Sequence, residues 1–183
     1  ILELGSIGKT FDIIESVGVL HHLAEPLAGW RVLLNLLRPG GLMRLGFYSE
    51  MARTNVVEAR NYIHSKGYTA TGSDIRQCRQ DLMSNQIAFS EVLSFRDFYG
   101  MSECRDLLFH VQEHRFTIPA LKDAMDGLGL TFLGFTLEAE ILDQYLKQFA
   151  ADPSATNLDN WHVFETENPK VFSGMYQFWA QKI

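Results

Sequence analysis

The sequence contains few cysteines and no long apolar run. Only two of its 183 residues are cysteines, Cys78 and Cys104. Two widely spaced cysteines exclude a disulfide framework and a CxxC metal site. No apolar run approaches the roughly 20 residues that a membrane helix needs, and the opening residues do not have the pattern of a secretion signal. We therefore expect a cytoplasmic protein without a membrane partner.

The sequence also lacks an excess of positive charge. Its 16 lysines and arginines are outnumbered by 22 aspartates and glutamates, which gives a net charge of -6. Lysine and arginine form no cluster, so there is no positive patch of the kind that binds nucleic acid. Apolar residues make up 46% of the chain and charged residues 21%, which is typical of a globular protein and excludes wholesale disorder.

What the sequence does contain near its start is a strand–helix–strand pattern. Residues 10–20 form a nearly continuous apolar run, which predicts a central strand buried on both faces. Apolar positions at helical spacing predict a helix over 27–37, ended by the Arg-Pro-Gly-Gly turn at 38–41. Residues 42–48 predict a second strand. This order predicts an α/β fold with parallel strands joined by a crossover.

Helices predominate in the middle of the chain, and further strands follow. Ser102, with Glu103 in the first turn, predicts the start of a helix that continues to His114. The last segment is rich in aromatic residues, which we interpret as core because large rings mainly supply buried area. The predicted elements after residue 49 are helices over 56–65, 73–83, 102–114, 119–127 and 138–150, strands over 131–137 and 175–181, and an irregular or briefly helical segment over 157–172.

Several stretches of the sequence resemble a known family. FDIIESVGVLHHL at residues 11–23 and RPGGLMRLG at residues 38–46 are similar to the middle of class I S-adenosylmethionine (SAM)-dependent methyltransferases. In that family a strand ends in a Leu-His-His turn, and a Pro-Gly-Gly turn leads into the next strand. Further along, the chain resembles methyltransferase domains attached to tetratricopeptide-repeat segments, in the stretches FYSEMAR, DLLFHVQEHRFTIPAL, NWHVFE and GMYQFWAQK.

The resemblance implies a partial Rossmann-like methyltransferase sheet, with a helical segment inserted between its second and third strands. Residues 1–183 would then be the C-terminal part of one methyltransferase domain, and residues 51–118 would be the insertion. The family's Gly-rich loop and the acidic residue that holds the SAM ribose are not found, because the glycines at residues 5–8 have no strand before them and no helix after them. We therefore expect a truncated chain that is inactive alone and does not bind SAM tightly.

The resemblance also places the cofactor beside the end of the first strand. Residues that match Ser16, Val17 and Gly18 pass close to the methionine part of SAM in the family. Gly18 would allow a close approach of the backbone, although glycine in a strand is as often an accommodation of packing. SAM is therefore the expected cofactor of the intact protein.

Candidate catalytic residues follow the two predicted strands, because ligands of open α/β sheets bind outside the carboxyl ends of the strands. His21 is the candidate general base, since the pKa of histidine suits proton removal at neutral pH. A structural alternative is that one of His21 and His22 caps the following helix while the other is satisfied within the turn. Tyr48 is a second catalytic candidate. The resemblance places Tyr48, Glu50 and Arg53 where the family meets its methyl acceptor.

One short motif suggests a different chemistry. Residues 110–114 read HVQEH, which matches the HxxEH pattern of some zinc metalloproteases. On a helix, His110 and His114 would share one face, and Glu113 would act as the base. A short motif recurs by chance and Arg115 adds positive charge beside it, so we assign no metal. The remaining interpretations are that His110 and Glu113 belong to a substrate pocket, or that the helix is structural.

The first strand also leads to an expectation about partners. In the class I sheet this strand lies beside the family's first strand, which this sequence does not contain. An open edge would favour a homodimer paired through the same strand, unless residues 1–4 fold back and cover it. Two classes of function compete: SAM-dependent transfer of a methyl group to an unidentified acceptor, and a non-catalytic interaction or scaffold module with a methyltransferase-like fold.

Overall fold

Five strands and eight α-helices make up the computed structural model, which describes all residues from Ile1 to Ile183. They form two compact units. The first, called the sheet unit, comprises Ile1–Ala52 and Gln112–Ile183 and contains every strand. The second, called the helical unit, comprises Arg53–Val111. None of the helices has both the length and the apolarity that crossing a membrane requires.

The sheet unit is built on β1 (Phe11–Val17), β2 (Leu37–Ser49), β3 (Arg115–Phe116), β4 (Leu130–Phe135) and β5 (Tyr176–Lys182). The long strands lie in the order β1-β2-β5-β4, and β3 pairs with the end of β2. β1 runs parallel to β2, whereas β5 runs antiparallel to both β2 and β4. This mixed sheet, with helices between β2 and β4, confirms the predicted fold class.

Helix α1 (Pro26–Leu36) connects the two parallel strands and packs its apolar side on the sheet. Its Trp30 is fully buried, with its ring 5.2 Å from the ring of Phe47 in β2. β2 begins before the predicted residue 42, because Leu37 already pairs with Phe11 of β1. The Pro-Gly-Gly segment therefore lies within the strand, where the pairing is irregular and Gly40 has a φ of +74°.

β1 lies at the edge of the sheet, as expected from the absence of the family's first strand, although the apolar run by itself predicts a central strand. Its only ladder partner is β2, and Phe11 and Ile13 are 38% and 58% exposed. The prediction of burial on both faces is therefore wrong, because an apolar β-branched run favours a strand without fixing which neighbours that strand receives. Leu2–Ser6 form a 3-10 helix that contacts α1 and do not pair with this edge.

The aromatic C-terminal segment supplies the core of the sheet unit, as predicted. It packs together with α6 (Ile118–Leu128), α7 (Ala139–Gln148) and α8 (Leu158–Glu167). Trp161 of α8 stacks on Tyr145 of α7 with ring centroids 3.8 Å apart. On β5, Tyr176 and Phe178 are buried while Trp179 on the opposite face is half-buried, which confirms the predicted alternation.

The segment predicted as irregular or briefly helical contains α8. The side chain of Asn157 caps this helix by accepting hydrogen bonds from the backbone NH groups of Asp159 and Asn160. Aromatic residues have low helix propensity, which is why the sequence pattern favours an irregular segment. The cap and the burial of the aromatic rings together outweigh that preference.

The helical unit contains four helices: α2 (Thr54–Lys66), α3 (Gly72–Ser84), α4 (Gln86–Ser94) and α5 (Met101–Phe109). They enclose a core of their own, which includes both cysteines as free thiols. Burial raises the pKa of the Cys78 thiol to about 12, so this cysteine is an inert core residue. The prediction of a single helix over 102–114 is wrong at its end, because α5 stops at Phe109.

The open edge of β1 carries two acidic residues that its neighbour strand neutralises. Asp12 forms a salt bridge of 2.6 Å with Arg38, and Glu15 forms one of 2.8 Å with Arg44. A second copy placed antiparallel about a two-fold axis would therefore meet no unpaired acidic charge at this edge. Its backbone NH and CO groups would satisfy those of β1.

We expect the 183-residue chain to self-associate through β1. Ile13→Lys places a charge on the exposed edge and should shift the population to monomer, as measured by light scattering over a range of protein concentrations. Val163→Lys is the matched control, because Val163 is also exposed, at 46%, but lies on α8 outside the sheet. An unmodified chain that is monomeric at every concentration would contradict this expectation.

Candidate active site

The carboxyl ends of β1 and β2 lie side by side and bring three predicted cofactor-binding residues to one edge of the sheet. Ser16 and Val17 pair with Leu45 and Gly46, and the NH group of Gly18 donates to the carbonyl oxygen of Gly46 at 3.3 Å. Gly18 has a φ of +75°, a conformation that favours glycine. The chain therefore turns away from the sheet directly after Val17.

The hydroxyl group of Ser16 is buried and lacks a hydrogen-bond partner. It is only 6% exposed, and its Oγ has no hydrogen-bond partner within the protein. Buried hydroxyl groups are normally hydrogen-bonded, so one that is not requires an explanation. Ser16 is one of the three residues that the resemblance places near SAM, and that placement stays a prediction.

The turn that carries His21 and His22, called the histidine turn, lies beside the end of β2. The parallel pairing of β1 with β2 predicts this position. Leu20–His22 form a 3-10 turn in which His21 is fully buried. The His21 ring lies 4.3 Å from the ring of Tyr48 and 4.4 Å from that of His22, measured between centroids. The structure thus brings the two predicted catalytic residues, His21 and Tyr48, into direct contact.

The capping interpretation of the histidines is wrong. The N-cap residue of α1 is Glu25, and no side chain caps this helix. Instead, His22 Nδ1 lies 3.0 Å from the carbonyl oxygen of Gln112, and the NH group of His114 donates to the carbonyl oxygen of His21 at 2.8 Å. Residues 112–114 therefore cross the histidine turn, a contact that the sequence does not predict because it depends on where the chain re-enters the sheet unit.

The HxxEH motif at residues 110–114 does not lie on a helix. α5 ends at Phe109, and His110 has an extended backbone with φ -61° and ψ 132°. His110 and His114 consequently do not share a helix face, and the prediction that they do is wrong. The physical reason is that the chain returns to the sheet unit at Gln112 and enters β3 at Arg115. No cluster of three or more His, Cys, Asp or Glu side chains with metal-binding geometry occurs in the chain.

The four predicted acceptor-binding residues are divided between the two units. Glu50 is exposed at the end of β2, where its NH group donates to the carbonyl oxygen of Phe116 at 2.8 Å. The side chain of Glu113 is 1% exposed. Both belong to the sheet unit, whereas Arg53, which is buried, and His110, which is half-buried, belong to the helical unit. Their role in binding an acceptor stays a prediction.

A buried polar cluster beneath the end of β2 was not predicted. Glu165 of α8 is 1% exposed, and its Oε1 accepts hydrogen bonds from Ser49 Oγ and from Tyr176 Oη, both at 2.6 Å. Tyr176 Oη also lies 2.7 Å from Oε2. The only signal in the sequence is an acidic residue within the aromatic stretch WHVFE, which does not reveal its partners.

Burial has the largest effect on the pKa values of Glu165 and Tyr176. It raises the pKa of Glu165, and the hydrogen bonds from Ser49 and Tyr176 offset only part of that rise. Burial, together with the adjacent carboxylate, also raises the pKa of Tyr176. The phenol therefore stays protonated and remains a donor to Glu165 at neutral pH.

The chain is similar in sequence to known proteins. No family model matches the chain. The chain is 30% identical over 142 residues to an uncharacterized protein of Synechococcus sp., covering 73% of this chain and 34% of that protein. It is 41% identical over 51 residues to the ubiquinone biosynthesis O-methyltransferase of Parvibaculum lavamentivorans, covering 28% of this chain and 19% of that enzyme.

Two solved structures share the fold. PKMT2 from Rickettsia typhi aligns with a TM-score of 0.63 and 14% identity over 94% of this chain and 35% of that one. PKMT2 in complex with AdoHcy aligns with a TM-score of 0.64 and 13% identity, over 98% and 38%. The chain thus has part of a class I SAM-dependent methyltransferase fold, which confirms the predicted fold. The resemblance to domains attached to tetratricopeptide-repeat segments stays a prediction. The chain spans less than two fifths of the length of each of these relatives.

The raised pKa of Glu165 predicts a pH dependence of stability. Because the folded state binds this proton more tightly than the unfolded state, the contribution to stability is fully present below the ordinary glutamate value of 4.5. It is lost as the pH rises through the higher folded pKa. Glu165→Gln lacks this contribution, so its free energy of unfolding relative to the unmodified protein should increase as the pH rises above 4.5.

Urea unfolding from pH 4.5 to neutral pH measures this difference. Glu167→Gln is the matched control, because it removes an exposed carboxylate from the same helix and corrects for the loss of one negative charge. A difference that stays constant with pH, or that changes in the opposite direction, would show that burial does not govern Glu165.

Proposed function

We propose that the protein containing this chain is a SAM-dependent methyltransferase, and that this chain supplies the side of the active site formed by the ends of β1 and β2. The observation that carries the proposal is the buried Oγ of Ser16, which has no partner within the protein. Ser16 lies near the end of β1. The turn after β1 carries His21, whose ring contacts the ring of Tyr48. The methyltransferase fold and the AdoHcy complex of PKMT2 support the proposal.

The donor side of the proposed site consists of Ser16, Val17 and Gly18. The Ser16 hydroxyl would hydrogen-bond the cofactor, and Gly18, which has no side chain of its own and a φ of +75°, would let the cofactor approach the backbone. SAM, when bound, supplies an electrophilic methyl group on a sulfonium centre. The role of these three residues is to fix the donor so that the methyl group faces the acceptor.

The acceptor side consists of His21 and Tyr48, with Glu50 at the rim. Displacement at a methyl group requires the acceptor atom in line with the donor, and an acceptor that carries a proton must lose it. The His21 and Tyr48 rings are in contact, 4.3 Å between centroids, so one acceptor could meet both residues. Tyr48 would orient the acceptor through its hydroxyl group. Because His21 is fully buried against Tyr48, it would take the proton on an imidazole nitrogen only when the Tyr48 ring moves aside.

The first test is SAM binding, measured by calorimetry. The native protein that contains this chain should bind SAM, and Ser16→Ala should weaken binding about tenfold because one hydrogen bond is lost. Ser65→Ala, at an exposed position of α2, is the control. The 183-residue chain alone should bind SAM far more weakly, since Ser16 to Gly18 supply only one side of the donor.

Two results would change this proposal. A native protein that does not bind SAM would contradict it and favour the non-catalytic scaffold module. A low-micromolar dissociation constant for the 183-residue chain would place a complete donor site within these residues and contradict the expected truncation.

The second test concerns the general base. His21→Ala should lower kcat for methyl transfer by about 100-fold, the usual scale for loss of general base catalysis, and leave the SAM dissociation constant unchanged. Transfer is measured in the native protein as release of S-adenosylhomocysteine in a cell extract that supplies the acceptor. His64→Ala, at an exposed position of α2, is the control. An unchanged kcat in His21→Ala would remove His21 from the mechanism.

A further inference from the structure

We infer that Glu165 is a positioning residue, which holds the end of β2 in the geometry that Tyr48 and Glu50 need. The inference rests on the proposed function, because it gives Glu165 its purpose at the same site. Nothing in the sequence pattern assigns this carboxylate, and it does not reach the surface, being 1% exposed. It therefore acts through the residues that it contacts.

The cluster joins three elements at one point. Glu165 lies on α8, Ser49 is the last residue of β2, and Tyr176 is the first residue of β5. Both hydroxyl groups donate to the same carboxylate oxygen at 2.6 Å. Because these two short hydrogen bonds come from two different strands, the carboxyl group fixes the position of Ser49 relative to α8 and β5.

Ser49 transmits this constraint to its neighbours in the chain. Its Oγ accepts a hydrogen bond from the NH group of Ala52 at 3.0 Å while it donates to Glu165. The turn after β2 is thus closed by the same hydroxyl group that the carboxylate orients. Tyr48 precedes Ser49 within β2, and side chains alternate along a strand, so fixing Ser49 on one face fixes Tyr48 on the other. Glu50 is the first residue of the turn after β2, and the same hydroxyl group closes that turn.

A charged group is an unusual choice for a purely structural contact here. Burying a carboxylate carries a large desolvation penalty, and apolar residues of the same shape often stabilise a core equally well. What the carboxylate adds is a pair of acceptor oxygens that hold both hydroxyl groups at once. That property matters at the end of β2, where the ring of Tyr48 lies against His21.

A second tyrosine–carboxylate pair in the same unit provides the control. Tyr145 Oη donates to Asp152 Oδ2 at 2.6 Å, the same distance as between Tyr176 and Glu165. Tyr145 is also fully buried, but its carboxylate partner accepts from the backbone of residues 156 and 157 rather than from a residue of β2. Tyr176→Phe and Tyr145→Phe therefore remove equivalent hydrogen bonds, and only the first touches the cluster.

The experiment compares Glu165→Gln, Tyr176→Phe and Tyr145→Phe in the native protein. Amide hydrogen exchange at Glu50 and Ala52 should accelerate about tenfold or more in the first two variants, after correction for global stability measured by urea unfolding. The Tyr145→Phe control should leave these amides unchanged. In the methyl-transfer assay, the first two variants should lower kcat without changing the SAM dissociation constant.

Equal acceleration at Glu50 and Ala52 in the Tyr145→Phe control would overturn the inference, because the effect would then reflect stability alone. An unchanged kcat in both cluster variants would also overturn it. If the unmodified protein neither binds SAM nor transfers a methyl group, the proposed function fails by itself. The exchange comparison then still decides whether Glu165 positions the end of β2.

Discussion

The parallel pairing of β1 with β2 is the contact on which the candidate site depends. It places the carboxyl ends of two strands together, so that the turn after β1 meets the last residues of β2. Gly46 permits this approach, because a Cβ atom there would lie only 2.7 Å from Val17 Cγ1 and 3.0 Å from Val17 Cα. The buried Ser16 hydroxyl and the contact between His21 and Tyr48 are both consequences of that pairing.

An aromatic core and a buried polar cluster both lie close to the paired strands β1 and β2. Trp30 and Phe47 belong to the aromatic core of the sheet unit, whereas Glu165 brings a carboxylate into the same interior. Donors from two different strands offset only part of the cost of burying that carboxylate. Stability thus comes mainly from the aromatic packing, and the polar cluster contributes a fixed geometry at the strand end where the site lies.

Local sequence was a good guide wherever neighbouring residues decide the structure. The apolar run before Gly18, the helical spacing after Pro26 and the alternation on β5 each specify an element through contacts within a few residues. Sequence was a poor guide at residues 110–114, where helical spacing continues but the chain leaves α5 at Phe109. Return to the sheet unit, where the NH group of His114 binds the carbonyl of His21, outweighs the local helical preference.

The sequence by itself determined the α/β class, the helical segment between β2 and β4, and the residues that end the two parallel strands, because these follow from hydrophobic periodicity and turn residues. The likeness to methyltransferases was also visible there. Only the tertiary structure decided that Phe11 and Ile13 of β1 are exposed, that His22 meets residue 112, and that Glu165 joins Ser49 to Tyr176. Those contacts link residues up to 116 positions apart, and no local pattern encodes which distant side chain will satisfy a buried polar group.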